Sequence, residues 1–338
     1  MRSAFAPGRV NLIGDHTDYT GGFVLPMAIQ FGTTVTFDAN PNTADAADRV
    51  DRIVLRSGAE PEAADLSLHI RNPRSVRPPW ARYLAGVIAE IKPASGGTGS
   101  ITTTLPIGEG LASSAALEVA FAMALGYGGS PEDLALACQR AERRAVGVPC
   151  GVMDQLASVS GVEGHALLID CSANSVMPVR IPRTCELVAI PSGEPHSLAG
   201  SRYADRRNEC EKAAALVGPL RSAALVSVEA IPDPVLRRRA RHVVSENQRV
   251  IDFVDCLRRG SLSEAGGLMV ESHRSLGADF EVSTPALDDL VTELMRTPGV
   301  YGARLTGAGF GGSVVALTRP GALTEGRVLK PSRGAHLL

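Results

Sequence analysis

The chain has 338 residues, a formal net charge of −2, 44% hydrophobic residues and only 4% aromatic residues. This length predicts two domains or one large α/β unit, and the balanced charge argues against nucleic acid or a membrane surface as a partner. The six cysteines include no C-x-x-C pair, so neither a zinc site nor a disulfide scaffold is predicted. Because the first residues lack an apolar signal region, we expect a cytoplasmic protein.

The first half of the chain predicts strands followed by helices. β-Branched and apolar residues indicate strands over 23–39, and helical spacing of apolar residues indicates a helix over 80–92. A second helix is expected over 111–128, directly after a glycine-rich loop. A third is expected over 130–147, with Ser130 as its N-cap.

The second half of the chain predicts strands on either side of a long helical region. Short strands are predicted over 165–171 and 185–193, and long helical stretches fill about 203–275. Residues 299–319 then predict a strand, a glycine-rich turn and a second strand. We place the domain boundary after residue 175, which gives an N-terminal domain over 1–175 and a C-terminal domain over 176–338.

The segment GRVNLIGDHTDYTGG, residues 8–22, concentrates polar side chains among glycines. It is either an ordinary surface loop or a site that binds a ligand with many hydroxyls. Arg9, Asp15, His16 and Asp18 offer donors and acceptors within ten residues, as carbohydrate recognition requires.

Each of two further glycine-rich segments allows a structural and a ligand-binding interpretation. The loop PIGEGLASSAA, residues 106–116, enters a helix, so its backbone N–H groups could bind a phosphate, although a plain helix cap explains it as well. It is not a Walker A loop, because no lysine follows the glycines. The turn TGAGFGG, residues 306–312, is either a bulged hairpin or a close approach to a ligand or a neighbouring loop.

The segment AERRAVGVPCGVMDQ, residues 141–155, carries two carboxylates of interest. Glu142 falls late in a predicted helix, where a solvated charge is the simpler reading. Asp154 follows a Pro–Gly break that could direct it into a cleft, or it could simply cap a helix.

The three glycine-rich segments, in this order, resemble those of the GHMP small-molecule kinases. The first segment resembles the signature of the galactokinase family within that group, and so do GVPCGVMDQ, SRYADRRNEC and LTGAGFGGS. The resemblance covers nearly the whole chain. It implies an α+β GHMP kinase fold, with two domains and the active site in the cleft between them.

The resemblance also implies an activity and a set of residues. The chain would phosphorylate the anomeric C1 hydroxyl of galactose, or of another galacto-configured sugar, at the expense of ATP. Asp154 would be the catalytic carboxylate, with Arg9 beside it to keep it ionised and to balance charge. The sugar-binding residues would be Asp15, His16, Thr17, Asp18, Gly151 and Tyr203.

The nucleotide would be bound by the loop before the second helix. Its phosphate-binding residues would be Gly108, Glu109, Gly110, Leu111, Ala112, Ser113 and Ser114. Ser114 and Glu142 would hold Mg²⁺ through oxygen ligands. The expected partner is a small-molecule sugar, with neither nucleic acid nor membrane, and the chain would be a monomer or a homodimer.

Three features depart from the family pattern. Asp15 stands where galactokinases usually have Glu, which shortens its reach by about 1.5 Å. Ala112 replaces the first serine of the usual run, and the segment after 318 is too short for the helix that relatives usually insert there. One alternative is therefore a C1 kinase for a galacto-sugar extended beyond C6, such as a heptose or octose phosphate. A kinase-dead sugar sensor is a second alternative.

Overall fold

In the computed structural model, residues 1–39, 51–106, 108–194 and 199–338 are described, and these ranges contain thirteen β-strands and nine α-helices. Residues 39–52, whose sequence ANPNTADAADRVDR predicts a loop, lie mostly outside the described residues, as does Ile107 of the glycine-rich loop. In chain order the strands are β1 (Arg2–Asn11), β2 (Phe23–Val24), β3 (Pro26–Asp38), β4 (Arg52–Ser57), β5 (Ala64–Ser67), β6 (Gly97–Thr103), β7 (His165–Asp170), β8 (Ser175–Arg180), β9 (Glu186–Pro191), β10 (Val300–Thr306), β11 (Ser313–Thr318), β12 (Arg327–Leu329) and β13 (His336–Leu337).

The helices within 80–147 and those within about 199–278 agree with the predicted helical segments to within about five residues, whereas the helix over 153–160 was not predicted. They are α1 (Ala81–Ile91), α2 (Ser113–Ala124), α3 (Pro131–Val146), α4 (Met153–Ser160), α5 (Ala199–Val217), α6 (Leu225–Glu229), α7 (Pro234–Arg259), α8 (Leu262–Ala278) and α9 (Pro285–Arg296). The start of α3 is fixed by a capping box, in which Ser130 accepts from the Asp133 backbone and Asp133 accepts from the Ser130 backbone. The predicted cap is therefore confirmed.

The first sheet has six strands in the order β13-β1-β3-β6-β4-β5. Its pairs are antiparallel except β4 with β6, which run parallel with α1 between them in the chain. Helices α1, α2 and α3 bury apolar side chains such as Leu84, Val119 and Phe121 against this sheet. The sheet thus supports α2, and the glycine-rich loop lies at the N-terminal end of that helix.

The second sheet has the order β10-β11-β9-β12, and β2, β7 and β8 form a third, small sheet. Apolar residues of α5, α7, α8 and α9 pack against the second sheet, among them Val243, Leu276 and Leu287. No helix separates β11 from β12, as the short C-terminal segment predicted, and β12 is the edge strand beside β9.

The two predicted domains share one apolar core, and a strand at the end of the C-terminal half joins the first sheet. One apolar cluster joins Val10 and Met27 of the N-terminal half to Leu187 and Val315 of the second sheet. The chain end then returns to the first sheet, where β13 pairs with β1. The division after residue 175 stays a prediction. Within the described ranges, no helix combines the length and the apolar character needed to cross a bilayer.

Candidate active site

Two cavities meet at one ion pair. The first, about 440 Å³, is lined by the loop before α2 and is called here the glycine-loop cavity. The second, about 330 Å³, is lined by the opening segment and the start of α4 and is called the Asp18 cavity. Both are lined by Arg9, Tyr83, Asp154, Gly307 and Ala308. A group in one cavity can therefore reach a group in the other past these shared residues.

Arg9 and Asp154 form a two-pronged ion pair at this junction. Arg9 Nε donates to Asp154 Oδ1 at 2.7 Å, and Arg9 Nη2 donates to Oδ2 at 2.6 Å. Arg9 Nη1 donates to the carbonyl of Gly110 at 2.6 Å, so one guanidinium also fixes the glycine-rich loop. Since Arg9 lies on β1 and Asp154 in the first turn of α4, the fold holds both side chains rigidly.

The glycine-rich loop presents backbone donors to its cavity. Ala112, the N-cap residue of α2, has a left-handed conformation (φ 57°), and its side chain makes no capping hydrogen bond. The first N–H groups of α2 are therefore free to bind an anion, and the helix dipole favours negative charge there. The cavity is lined by Gly108, Gly110, Leu111, Ala112, Ser113 and Ser114.

Glu109 is the one member of the predicted phosphate loop that does not line the glycine-loop cavity. Its carboxylate pairs with Arg327 at 3.2 Å, and its carbonyl accepts from Ser313 Oγ at 2.8 Å. Its side chain therefore ties the loop to the second sheet rather than facing the cavity.

The predicted metal ligands lie side by side. Ser114 Oγ donates to Glu142 Oε1 at 2.8 Å, which joins α2 to α3. Gln155 Nε2 donates to Glu142 Oε2 at 2.6 Å. Burial raises the pKa of Glu142, and the nearby charge of Asp154 adds to this effect. These oxygen donors beside a surplus of negative charge suit a hard divalent cation.

The Asp15 carboxylate is deeply buried at the edge of the Asp18 cavity. Its Oδ1 accepts from the Gly307 backbone at 3.0 Å, and its Oδ2 forms an ion pair with Arg304. Burial raises the pKa of Asp15, and the Arg304 charge opposes that shift.

The polar side-chain atoms of His16 and Thr17 form hydrogen bonds to other residues of the chain. Burial lowers the pKa of His16 to about 3, so its ring is neutral. One ring nitrogen lies 3.1 Å from the Ala308 carbonyl and the other 3.0 Å from the Tyr19 hydroxyl, which leaves only the ring surface to line the Asp18 cavity. The Thr17 hydroxyl donates to the carbonyls of Gly14 and Phe23, and Thr17 lines neither cavity.

Asp18, Gly151 and Tyr203 meet in the Asp18 cavity. Burial and then the charge of Asp154 raise the pKa of Asp18 to about 7. A Cβ atom at Gly151 would overlap the Asp18 carboxylate, so a larger residue at this position must displace that carboxylate. The Tyr203 ring lies 5.5 Å from the His16 ring, and its hydroxyl contacts the Gly151 backbone.

The second glycine-rich turn closes the site from the other half of the chain. A Cβ atom added at Gly307 would lie 3.5 Å from the Gly110 carbonyl oxygen. The Gly307 N–H donates to Asp15, and the carbonyl of Ala308 contacts His16. The turn joins β10 and β11, which pair antiparallel with a register shift between Val300 and Gly302, so it is a bulged hairpin that also approaches the phosphate loop.

Sequence reasoning missed several residues that line or support the site. Trp80 and Tyr83 line the glycine-loop cavity, and Trp80 directly precedes α1. Among the described residues, none hydrogen bonds to the buried Trp80 Nε1, so a polar donor is left over at this wall. Arg304 is fully buried beneath Asp15. A charged residue inside an apolar strand was the signal that could have revealed it.

Comparisons with known proteins agree with this geometry. Residues 2–38 match a model described as the galactokinase galactose-binding signature, residues 82–162 match the GHMP kinases N terminal domain, and residues 253–326 match the GHMP kinases C terminal model. The chain is 43% identical to a galactokinase of Homo sapiens over 92% of this chain and 82% of that protein. It is also 43% identical to a galactokinase of Chloroflexus aurantiacus, over 94% and 83% of the two chains.

Solved structures give the same result. The crystal structure of Lactococcus lactis galactokinase complexed with galactose superposes with a TM-score of 0.91 at 28% identity, covering 100% of this chain and 95% of that one. A mevalonate kinase structure shares the fold, with a TM-score of 0.67 at 21% identity over 95% and 92% of the two chains. The predicted α+β GHMP kinase fold is thereby confirmed, and the chain belongs to the galactokinase family of the GHMP kinases.

Proposed function

We propose that this chain transfers the γ-phosphoryl group of ATP to the C1 hydroxyl of galactose, giving galactose 1-phosphate and ADP. The observation that carries the proposal is the Arg9–Asp154 pair, which lies where the glycine-loop cavity and the Asp18 cavity meet. ATP phosphates in the first cavity and a sugar in the second would place donor and acceptor on either side of it. Phosphoryl transfer depends mainly on such positioning and on charge balance.

Asp154 would face the C1 hydroxyl, accept its hydrogen bond and orient its oxygen toward the γ-phosphorus. As the C1 oxygen bonds to the γ-phosphorus, the bond from that phosphorus to the bridging oxygen of ADP breaks. The hydroxyl proton would pass to Asp154 during this step, or to solvent after it, with Asp154 stabilising the charge in the second case. Arg9 keeps Asp154 in one rotamer through its two hydrogen bonds and supplies positive charge beside the transferring group.

The nucleotide would lie along the glycine-rich loop. Backbone donors from Gly108 to Ser114 would bind its phosphates at the N-terminus of α2. The base would extend toward Trp80 and Tyr83, whose rings offer a stacking surface and an unpaired indole N–H. Glu109 would contribute only its backbone.

We propose that Ser114 and Glu142 hold Mg²⁺ between the two cavities. Their oxygens are 2.8 Å apart, and Glu142 has no cation among the described residues that hydrogen bond to it. When bound, Mg²⁺ supplies charge neutralisation for the phosphate oxygens of ATP.

The sugar would be bound by acceptors on one side and backbone on the other. Asp18 would accept hydrogen bonds from sugar hydroxyls, and Asp15 would do so with its remaining lone pairs. Gly151 permits close backbone approach, while Tyr203 and His16 supply apolar ring surface beside the sugar. Thr17, whose hydroxyl is used inside the fold, would act by shaping the loop.

We also keep three wider proposals. Residues 1–175 and 176–338 form the two halves of the kinase, apart from the returning strand β13. The cytoplasm is the proposed location, because all six cysteines are free thiols, as expected in a reducing compartment. A monomer or a homodimer is the proposed assembly.

The proposal is tested by ADP release from the purified chain with ATP and Mg²⁺ over a panel of sugars. The panel contains galactose, N-acetylgalactosamine, glucuronate-type sugars and galacto-sugars extended beyond C6. Asp154→Asn should abolish turnover. Asp170→Asn is the matched control, because Asp170 also makes a two-pronged pair with an arginine, Arg221, but lies outside both cavities.

The same panel separates the alternatives. Efficient turnover of galactose at low KM supports the proposal and excludes the C6-extended alternative. Turnover of only an extended sugar would show that the same mechanism acts on that sugar and would support the C6-extended alternative. ATP and sugar binding without any turnover would instead indicate a sugar sensor.

A further inference from the structure

The segment that joins α3 to α4 forms part of the wall of the Asp18 cavity. Residues 147–152 belong to no helix or strand, so the hydrogen bonds of regular structure do not satisfy the carbonyls of Pro149 and Cys150. Val148, Cys150 and Gly151 line the cavity, and the segment leads directly into the turn of α4 that carries Asp154. Whatever holds this segment therefore shapes the cavity.

Two arginines donate to neighbouring carbonyls of the segment. Arg143 of α3 donates to the Cys150 carbonyl through Nε at 3.1 Å and through Nη2 at 2.6 Å. Arg207 of α5 donates to the Pro149 carbonyl through Nη1 at 2.5 Å. Because α3 directly precedes the segment and α5 belongs to the second half of the chain, the segment is held by both halves of the fold.

The Arg207 guanidinium also contacts the aromatic rings beside the cavity. Its Cζ atom lies 5.9 Å from the centre of the Tyr19 ring, which is a cation–π contact. The Tyr19 ring meets the Tyr203 ring edge to face at 5.3 Å, and Tyr203 lies one helical turn before Arg207 on α5. The Tyr203 hydroxyl contacts the Gly151 backbone. Helix α5 therefore meets the segment at two points, through Tyr203 and through Arg207.

An ordinary surface ion pair does not account for Arg207. Its partner Glu211, one turn along α5 at 2.8 Å, has a side chain that is 60% exposed, and exposed pairs contribute little. The Arg207 side chain is only 21% exposed. A hydrogen bond from a charged donor is about twice as strong as one between neutral groups, so the Pro149 carbonyl is the partner that matters.

We propose that Arg207 is a positioning residue for the sugar, which fixes the Gly151 backbone and the Tyr203 ring by donating to the Pro149 carbonyl. The proposal rests on the proposed function, because only there does the Asp18 cavity hold a sugar. Arg207 does not touch the sugar itself, since it lines neither cavity.

The effect of Arg207 is confined to the sugar side of the site. Asp154 has its own partner in Arg9, which holds it through two hydrogen bonds. Neither α5 nor residues 147–152 line the glycine-loop cavity. Loss of Arg207 should therefore change sugar binding while leaving nucleotide binding and the catalytic pair in place.

Calorimetry and steady-state kinetics on the full-length chain test this separation. Arg207→Met keeps most of the side-chain length but has no donor, so galactose should bind about tenfold more weakly. The KM for galactose should rise in proportion, whereas kcat and the KM for ATP should stay within about twofold. Arg207→Lys restores a charged donor and should regain most of the affinity. A loss of kcat alone, equal changes in both KM values, or equal losses in the two variants would overturn the proposal.

Two variants on the same helix are matched controls. Glu211→Gln removes the ion-pair partner of Arg207 and leaves the Pro149 contact in place. Lys212→Met removes a positive charge from an exposed position of α5. Both should bind galactose within about twofold of wild type. Tenfold weaker binding in either control would assign the effect to the charge of α5 and overturn the role of the Pro149 contact.

Amide hydrogen exchange tests the contact without any sugar. In Arg207→Met, peptides covering residues 148–152 should exchange about tenfold faster than in wild type, and peptides of α2 should be unchanged. Arg207→Gln, whose side chain is two bonds shorter, replaces Arg207→Met if that variant does not fold. Unchanged exchange over 148–152 would overturn the proposal. Failure of the wild-type chain to phosphorylate any sugar would instead overturn the proposed function, so the two failures are distinguishable.

Discussion

Asp15 and Arg304 form a buried ion pair between the opening segment and β10, although 289 positions separate them in the chain. Apart from Asp15, the carboxylate near Arg304 is Glu246, at 3.9 Å. The pair holds the sugar-side loop against the second glycine-rich turn, since Asp15 also accepts from Gly307. The Asp15–Arg304 ion pair therefore positions the sugar-side loop and also connects the two halves of the fold.

Asp15→Asn should destabilise the protein strongly, because it leaves Arg304 buried without its main counter-charge. Breaking a buried pair costs about 3–5 kcal/mol, so the loss should be measurable in chemical unfolding. Asp65→Asn removes a partner from the exposed Arg52–Asp65 pair and should cost under about 1 kcal/mol. Equal losses in the two variants would refute a structural role for the buried pair.

Asp18 should give sugar binding a pH dependence. Its pKa is raised to about 7, and only the ionised carboxylate accepts hydrogen bonds on both oxygens. Galactose affinity should therefore increase as the pH rises through about 7 and then level off, as measured by calorimetry. Asp18→Asn should bind more weakly and show no such step. A step that persists in Asp18→Asn would assign it to another group.

The same shift predicts an opposite effect on stability. Asp18 binds its proton more tightly in the folded chain than in the unfolded chain, so its contribution to stability falls as the pH rises from about 4 to about 7. Asp18→Asn should therefore raise the melting temperature at pH 8. The pKa of Asp170 is lowered by its hydrogen bond with Arg221, so its contribution to stability rises with pH. Asp170→Asn should therefore lower the melting temperature at pH 8.

Gly151→Ala should damage the sugar side of the site alone. The added Cβ would overlap the Asp18 carboxylate, and displacing that group by about 1 Å should reduce kcat/KM for galactose by about 100-fold. The KM for ATP should stay within about twofold, because Gly151 does not line the glycine-loop cavity. Gly267→Ala, where a Cβ meets open space within α8, is the control. Loss of ATP binding in Gly151→Ala would contradict this assignment.

Trp80 is the single tryptophan of the chain, so its fluorescence reports on the glycine-loop cavity directly. ADP should change the emission in a saturable way, whereas galactose alone should change it little, because Trp80 does not line the Asp18 cavity. Free N-acetyltryptophanamide controls for nucleotide absorbance. A response to galactose without a response to ADP would place the nucleotide elsewhere.

Local patterns predicted the elements and much of the site. The N-cap at Ser130 and the helix predicted over 111–128 depend on neighbouring residues, and both are confirmed. The pairing of β13 with β1 joins opposite ends of the chain, and nothing near residue 336 indicates it. The roles of Trp80 and Arg304 were missed for the same reason, since the cavity that Trp80 lines and the carboxylate that pairs with Arg304 involve distant segments of the chain.

The transfer from ATP to C1 at the Arg9–Asp154 junction is tested most directly by ³¹P NMR of the product, combined with the rate of Asp154→Asn. The account predicts a phosphate on C1 of galactose. It predicts a loss in kcat of at least about 1000-fold in the variant, with the dissociation constants for galactose and ATP changed only a few-fold. A phosphate on another hydroxyl, or a variant that keeps most of its kcat, would contradict it.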